Sequence, residues 1–182
     1  MFRLLFISII ALSSCASSTV VSESTDVPQV DSYNVQFTIT RPIPYCGGAA
    51  PTEDMLNRSA PVTEDFILIN VQTNKKTTVR TDENGVVRLA LPDGKYILKE
   101  KFKDVSFEKF WRNTSVGGQN INVGSEDCYK KWWATNLSEF EILPKTPTLR
   151  LQLSLYKTCY TGNNPCDVFT GPYPPSAPPS NN

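Results

Sequence analysis

Val35, Phe37 and Ile39 alternate with Asn34, Gln36 and Thr38, the period-two signature of a strand with one buried face. Phe66-Ile67-Leu68-Ile69-Asn70-Val71 is a continuous apolar run and predicts a central strand. Lys76 to Arg80 follows a polar turn, and Thr81-Asp82-Glu83-Asn84-Gly85 then carries the strong Asn-Gly turn signal. Val86 to Leu91 is read as the returning strand of that hairpin. Pro92-Asp93-Gly94 predicts a second turn, and Lys95 to Phe102 the strand after it. Leu149, Leu151, Leu153 and Leu155 alternate with Arg150, Gln152 and Ser154 in the clearest strand of the chain, and Ser138 to Leu143 is a further one. Short strands punctuated by turns at this spacing predict an all-β fold, an antiparallel β-sandwich.

Two stretches break the alternation and predict one or two short helical insertions. Thr52-Glu53-Asp54-Met55-Leu56 follows Pro51 and places acidic residues where a helix would begin. Ser125 to Trp133 forms a second helical turn or two, with Cys128 and Trp132 on one face. The ends differ from the middle. Residues 1–14 pair Arg3 with an apolar run from Leu4 to Leu12, and residues 15–31 are rich in Ser, Thr and Val, a composition that predicts a flexible tether. The sandwich domain is expected over 32–170. Residues 171–182 contain Pro-Tyr-Pro-Pro-Ser-Ala-Pro-Pro, which excludes a regular helix or an internal strand. That tail is read as a solvated or surface-hugging segment, with recruitment of a partner by polyproline as the alternative.

A short positive start, an apolar run too short to cross a bilayer and small residues before a cysteine make up an export signal. Leu12-Ser13-Ser14-Cys15 resembles the lipobox of bacterial lipoproteins. The resemblance implies cleavage before Cys15, acylation of its thiol and a membrane partner through the lipid. The competing reading is an ordinary secretory signal that contains a cysteine. Ala16 follows in place of Asp, and by analogy with enterobacterial sorting this leans toward the outer membrane.

The chain has five cysteines. With Cys15 assigned to lipid, Cys46, Cys128, Cys159 and Cys166 form an even set in an exported chain, which predicts two disulfides and an oxidising compartment. Three pairings are possible. The turn-rich Thr161-Gly162-Asn163-Asn164-Pro165 favours Cys159–Cys166, leaving Cys46–Cys128. Loop closure would make those bridges worth roughly 2.5 and 4.5 kcal/mol. No CxxC pair and no histidine occur, so a zinc site lacks its usual ligands and no metal or cofactor is expected. Formal net charge is zero, which removes the electrostatic case for nucleic acid.

The block from Thr81 to Tyr96, TDENGVVRLALPDGKY, resembles the "TDENG…LPPGKY" core of prealbumin-like and carboxypeptidase-regulatory-like domains, with Asp93 where a second proline is common. The resemblance implies an Ig/transthyretin-like sandwich and a role in binding, adhesion or scaffolding. Pro44 to Thr52 and Pro165-Cys166 with Gly171 to Pro175 are similar to small lipoproteins of Bacteroidota-type bacteria.

Without histidine, a Ser-His-Asp or Cys-His site cannot be built. Glu53 with Asp54, and Glu126 with Asp127, are carboxylate pairs, but adjacent carboxylates on a turn are usually solvated. Gly47-Gly48 lacks the Lys-Ser/Thr of a phosphate loop. Asn57, Asn113 and Asn136 begin Asn-x-Ser/Thr patterns that are read as chance. Trp111, Trp132 and Trp133, with Phe110 and nearby Lys109, Arg112, Lys130 and Lys131, are the candidate ligand platform. The competing reading has the same rings capping one end of the sandwich beside Cys128. Together these features predict a lipid-anchored, non-enzymatic envelope module that is structural or protein-binding. A carbohydrate- or peptide-binding module is the alternative, and a carboxylate enzyme is the poorest fit.

Overall fold

The computed structural model describes residues 31–48, 50–113 and 120–172. The signal, Cys15, the tether up to residue 30 and the tail from residue 173 lie outside the described residues. Among the described residues ten strands run in chain order: β1 (Ser32–Pro42), β2 (Ser59–Pro61), β3 (Asp65–Asn70), β4 (Lys76–Arg80), β5 (Val86–Pro92), β6 (Gly94–Glu100), β7 (Ile121–Asn122), β8 (Ser138–Ile142), β9 (Leu149–Ser154) and β10 (Val168–Phe169). Helices α1 (Glu53–Leu56), α2 (Phe107–Asn113) and α3 (Glu126–Ala134) and a 3-10 turn at Lys101–Asp104 interrupt them.

Eight of the strands form a mixed, mostly antiparallel β-sandwich, and β7 pairs with β10 in a separate two-stranded sheet. In the first sheet β1 is central. Its register sets Val35 opposite Leu89 of β5 and Leu149 of β9, and Phe37 opposite Val87 and Leu151. Apolar residues therefore line up three strands wide on the inner face, and a slip of one residue would turn them outward. β2 pairs with Thr40 to Pro42, continuing the edge where β5 stops. The second sheet has the order β4-β3-β6-β8, antiparallel throughout. Phe66 and Leu68 of β3, Tyr96 and Leu98 of β6 and Ile142 of β8 meet Val35, Phe37 and Ile39 in one buried cluster. Phe140 lies edge-on to Phe37 at 5.4 Å and stacked on Tyr96 at 5.5 Å. Each of these fully buried aliphatic or aromatic side chains contributes about 1.5–3 kcal/mol.

Three expectations change. The sheet is not wholly antiparallel, because β9 runs parallel to β1. Parallel neighbours require a long crossover, and the chain between β1 and β9 is long enough to build the entire second sheet. The Asn84-Gly85 turn does not close a hairpin either: β4 pairs with β3, while β5 pairs with β1 in the opposite sheet. The turn is a corner between sheets. Asp82 Oδ1 accepts from the backbone N–H of Asn84 and of Val86, both at 2.9 Å. The buried Thr81 hydroxyl donates to Val62 O and accepts from Glu64 N–H at 3.1 Å, tying the corner to the chain leaving β2. Finally, the described residues form three α-helices where one or two were expected. The overlooked α2 carries Phe107, Phe110 and Trp111 at the three- and four-residue spacing of one helical face.

Gly85 has φ +72°, and a Cβ there would sit 2.4 Å from Ile39 O. That carbonyl belongs to the β1 edge that receives the corner, since Ile39 N–H donates to Gly85 O at 2.8 Å. Gly85→Ala is expected to lose about 2 kcal/mol or more of unfolding free energy through strain and a displaced β1 contact, as measured by urea denaturation. An unchanged midpoint would contradict this account of the corner.

Candidate functional site

The helices and the last described residues build a cap beside the second sheet. Ser125 caps α3 by accepting from Cys128 N–H at 3.3 Å, with Glu126 and Asp127 in the first turn where the helix dipole favours them. Tyr129 and Trp133, four residues apart, form its buried face. They meet α2 through Phe110 stacked on Trp133 at 4.0 Å and Trp111 tilted against Tyr129 at 5.1 Å. Phe102 closes the cluster, 5.8 Å from both Trp132 and Trp133. The candidate tryptophans are thus brought together, but not as a row of open faces. Trp133 is buried, and its indole N–H donates to Val105 O at 3.1 Å. Trp111 and Trp132 are half-buried and form the rim.

Lys103 was not singled out from the sequence, yet its side chain is only 3% exposed. Its ammonium pairs with Glu100 at 3.0 Å and donates to Trp132 O at 3.0 Å and Thr135 O at 3.2 Å. It lies 5.2 Å over the Trp132 ring. A cation at the carbonyl end of α3 satisfies groups the helix leaves open. Breaking such a buried pair by removing one partner costs about 3–5 kcal/mol. Glu100 is a local partner, but nothing local marks Lys103 as buried, because the two carbonyls it caps lie 29 and 32 residues away.

The C-terminal segment straps this cap down. All four expected cysteines form disulfides, but the pairing is Cys46–Cys159 and Cys128–Cys166, not the favoured Cys159–Cys166 with Cys46–Cys128. The turn between Cys159 and Cys166 is closed by hydrogen bonds instead. Thr158 N–H donates to Gly162 O at 2.8 Å, and Cys166 N–H to Asn164 Oδ1 at 2.9 Å. Each cysteine is left facing a different element, Cys159 the loop after β1 and Cys166 the start of α3. The chain approaches so closely that a Cβ on Gly124 would lie 2.2 Å from Cys166 O. Asp167 accepts from Tyr129 Oη at 2.5 Å and from Gly124 N–H at 3.2 Å, while Asn164 Nδ2 donates to Tyr129 Oη at 2.6 Å. Burial, then the hydrogen bond to the Asp167 carboxylate, pushes the Tyr129 phenol up from its ordinary value near 10 to about 12.

The carboxylate pairs do not converge. Glu53 and Asp54 lie exposed on α1, and Glu126 and Asp127 lie exposed on the first turn of α3. Among the described residues no group of three or more His, Cys, Asp or Glu side chains is placed to hold a metal, and no helix is long and apolar enough to cross a membrane. Asn57 and Asn113 are exposed, whereas Asn136 is half-buried and bonded to Glu139.

No protein-family profile matches the chain, and no curated protein matches it. Solved structures similar to it include the Bacillus anthracis TIE protein, with 20% identity and a TM-score of 0.32 over 67% of this chain and 17% of that one. The shaft pilin spaA from Lactobacillus rhamnosus GG shows 13% identity and a TM-score of 0.34 over 68% and 48%. A DUF3823 family protein from Parabacteroides merdae shows 11% identity and a TM-score of 0.33 over 69% and 46%. The chain spans about half or less of the length of these proteins. The fold is defined by the chain's own strand pairing.

Digestion without reduction should release one peptide pair joined through Cys46 and Cys159 and another through Cys128 and Cys166. A Cys159–Cys166 link would contradict the strap. By loop closure over a separation of 38 residues, replacing Cys128 and Cys166 with alanine should cost about 4 kcal/mol in urea denaturation. Tyr129 also sets an alkaline limit. Its folded pKa exceeds the unfolded one, so the unfolded state ionises first and stability falls from about pH 10 to about pH 12, by roughly 3 kcal/mol. Below pH 10 both states are protonated and Tyr129 adds no pH dependence. Denaturation of the wild type and Tyr129→Phe across this window should show the extra slope in the wild type alone.

Proposed function

We infer that this chain is a lipid-anchored cell-envelope protein whose sandwich serves as a non-catalytic structural or protein-binding module. The observation that carries the reading is the partition of the cysteines. Cys46, Cys128, Cys159 and Cys166 are consumed in disulfides within the domain, which leaves Cys15 as the one remaining thiol of the five. Stable disulfides belong to an oxidising compartment, in keeping with an export signal. Cys15 sits where the lipobox-like Leu12-Ser13-Ser14 would place the acylated residue. Two or three acyl chains at about 0.8 kcal/mol per buried CH₂ hold a protein firmly at a bilayer. Residues 16–31 then separate lipid from domain, and Ala16 at the second position favours the outer membrane.

The same inference assigns the domain to the prealbumin-like, carboxypeptidase-regulatory-like class. Its support is the Thr81 to Tyr96 block, whose two turns open and close β5 at the corner between sheets. The absence of histidine from the chain and the dispersal of the carboxylate pairs favour a module that binds or scaffolds over one that turns over a substrate.

Growth with labelled palmitate should mark the wild-type protein and leave Cys15→Ala unlabelled. Label retained in Cys15→Ala would overturn the anchor and return Cys15 to an ordinary secretory signal.

A further inference from the structure

We propose that β9 is a docking edge for a second copy of this chain: the two β9 strands pair antiparallel about a two-fold axis at Leu151, and two first sheets become one. The proposal goes beyond the anchored-module reading and does not depend on acylation of Cys15. β9 is bonded along one side only, to β1. Leu155 N–H donates to Thr40 O at 2.8 Å. Strand alternation then turns the N–H and C=O groups of Leu151 and Leu153 toward β1 and those of Arg150, Gln152 and Ser154 away from it. No hydrogen bond among the described residues takes up these outward groups. Arg150, Gln152 and Ser154 are exposed, and Leu149, Leu151 and Leu153 stay half-buried where they pack against the core. A row of open donors and acceptors beside a half-covered apolar row is a template for another strand.

The other outer strands of the sandwich are protected against such pairing. β4 carries Lys76 and Arg80, each ion-paired. β8 carries the exposed Glu139 and Glu141, and two β8 strands centred on Phe140 would set these carboxylates against each other. At one end of β5 the backbone of Val86 is taken by Asp82, whose N–H donates to Val86 O and whose Oδ1 accepts from Val86 N–H, both at 2.9 Å. At the other end Pro92 has no N–H to offer. β2 is three residues long and ends in Pro61. β9 contains no proline, lysine or carboxylate. Its own sequence selects a second β9 as the partner. The outward backbone groups meet only when an even-numbered residue opposes an even-numbered one. Centred on Arg150, such a pair opposes two guanidinium groups. Centred on Gln152, it leaves Leu149 without a leucine of β9 opposite. Centred on Leu151, it sets Leu149 against Leu153, Leu151 against its own copy, and Arg150 against Gln152, whose amide oxygen accepts from the guanidinium. Every leucine of β9 then faces a leucine, and no like charges meet.

The full chain, in a density-matched detergent, is followed by sedimentation equilibrium and by amide hydrogen exchange read residue by residue in a mass spectrometer. It should sediment as a dimer with a Kd below about 100 μM. In the dimer the Arg150 and Gln152 amides should exchange at least tenfold more slowly than in the monomer reached by dilution. The Leu151 and Leu153 amides, bonded to β1, should be protected in both. Gln152→Pro removes an outward donor and leaves the bonds to β1 in place. It should weaken dimerisation at least tenfold while keeping the near-UV circular dichroism of the wild type. A wild type that stays monomeric at about 100 μM overturns the proposal. So does a dimer whose Arg150 and Gln152 amides exchange freely, a readout that stands even if the variant fails to fold. So does protection of those two amides in a sample that sediments as a monomer, which would assign the edge to a segment of the same chain. So does undiminished dimerisation of a folded Gln152→Pro. Acylation is read by mass on the same preparation, so loss of the pairing and loss of the anchor are separate results.

Discussion

The first sheet exists because β1 is hydrogen-bonded along both of its edges. One edge takes β5 and then β2, and the other takes β9 in parallel. The register on both sides matches apolar with apolar, so Val35 and Phe37 each sit in the middle of a three-strand row. Moving β1 by one residue would unpair two edges and turn the shared face to water. The corner at Asp82 to Gly85 and the return of β9 after the whole second sheet both follow from holding that strand in place. The cost is kinetic as well as structural, since the pairing of β1 with β9 joins segments more than a hundred residues apart and must await long loop closure.

The cap depends on different physics. α2 has seven residues and α3 nine, both short of the about 12–15 that even a helix-prone peptide needs to persist alone. Packing of aromatic rings supplies part of what local propensity lacks. Covalent closure supplies more: Cys128–Cys166 ties α3 to the strap, and Cys46–Cys159 ties the strap to the loop leaving β1. Lys103 joins cap to sheet, since it lies in the 3-10 turn that follows β6 and terminates α3. The two bridges and this one buried cation make the cap an extension of the sandwich.

That arrangement bears on what the domain can present. Most of the aromatic surface is spent on the inside of the cap, with Trp133 and Tyr129 buried. What remains outward is the half-buried rim of Trp111 and Trp132. The edge strand β4 carries Lys76 and Arg80, each ion-paired, to Asp104 at 2.7 Å and to Asp65 at 3.0 Å. Charges on an edge discourage further strand addition.

The sequence by itself determined the elements whose cause is local. Alternation marked β1 and β9, the apolar run marked β3 as central, and Thr52 and Ser125 marked the starts of α1 and α3. Phe107, Phe110 and Trp111 stand at helical spacing, yet α2 was not expected from the sequence. The even count of domain cysteines determined that there are two bridges. Tertiary structure alone decided which partner each element takes. Asn84-Gly85 demands a tight turn, but whether the chain then returns to its own sheet or crosses to the other depends on the vacant edge of β1. Four cysteines allow three pairings, and a short, turn-rich loop between two of them is no evidence for a bridge when hydrogen bonds already close it. Lys103 looks like any surface lysine in sequence. It became a buried cap only when two carbonyls about thirty residues further along arrived beside it. Local propensity acts over a few residues; pairing, burial and charge compensation act over distances that only the folded chain brings together.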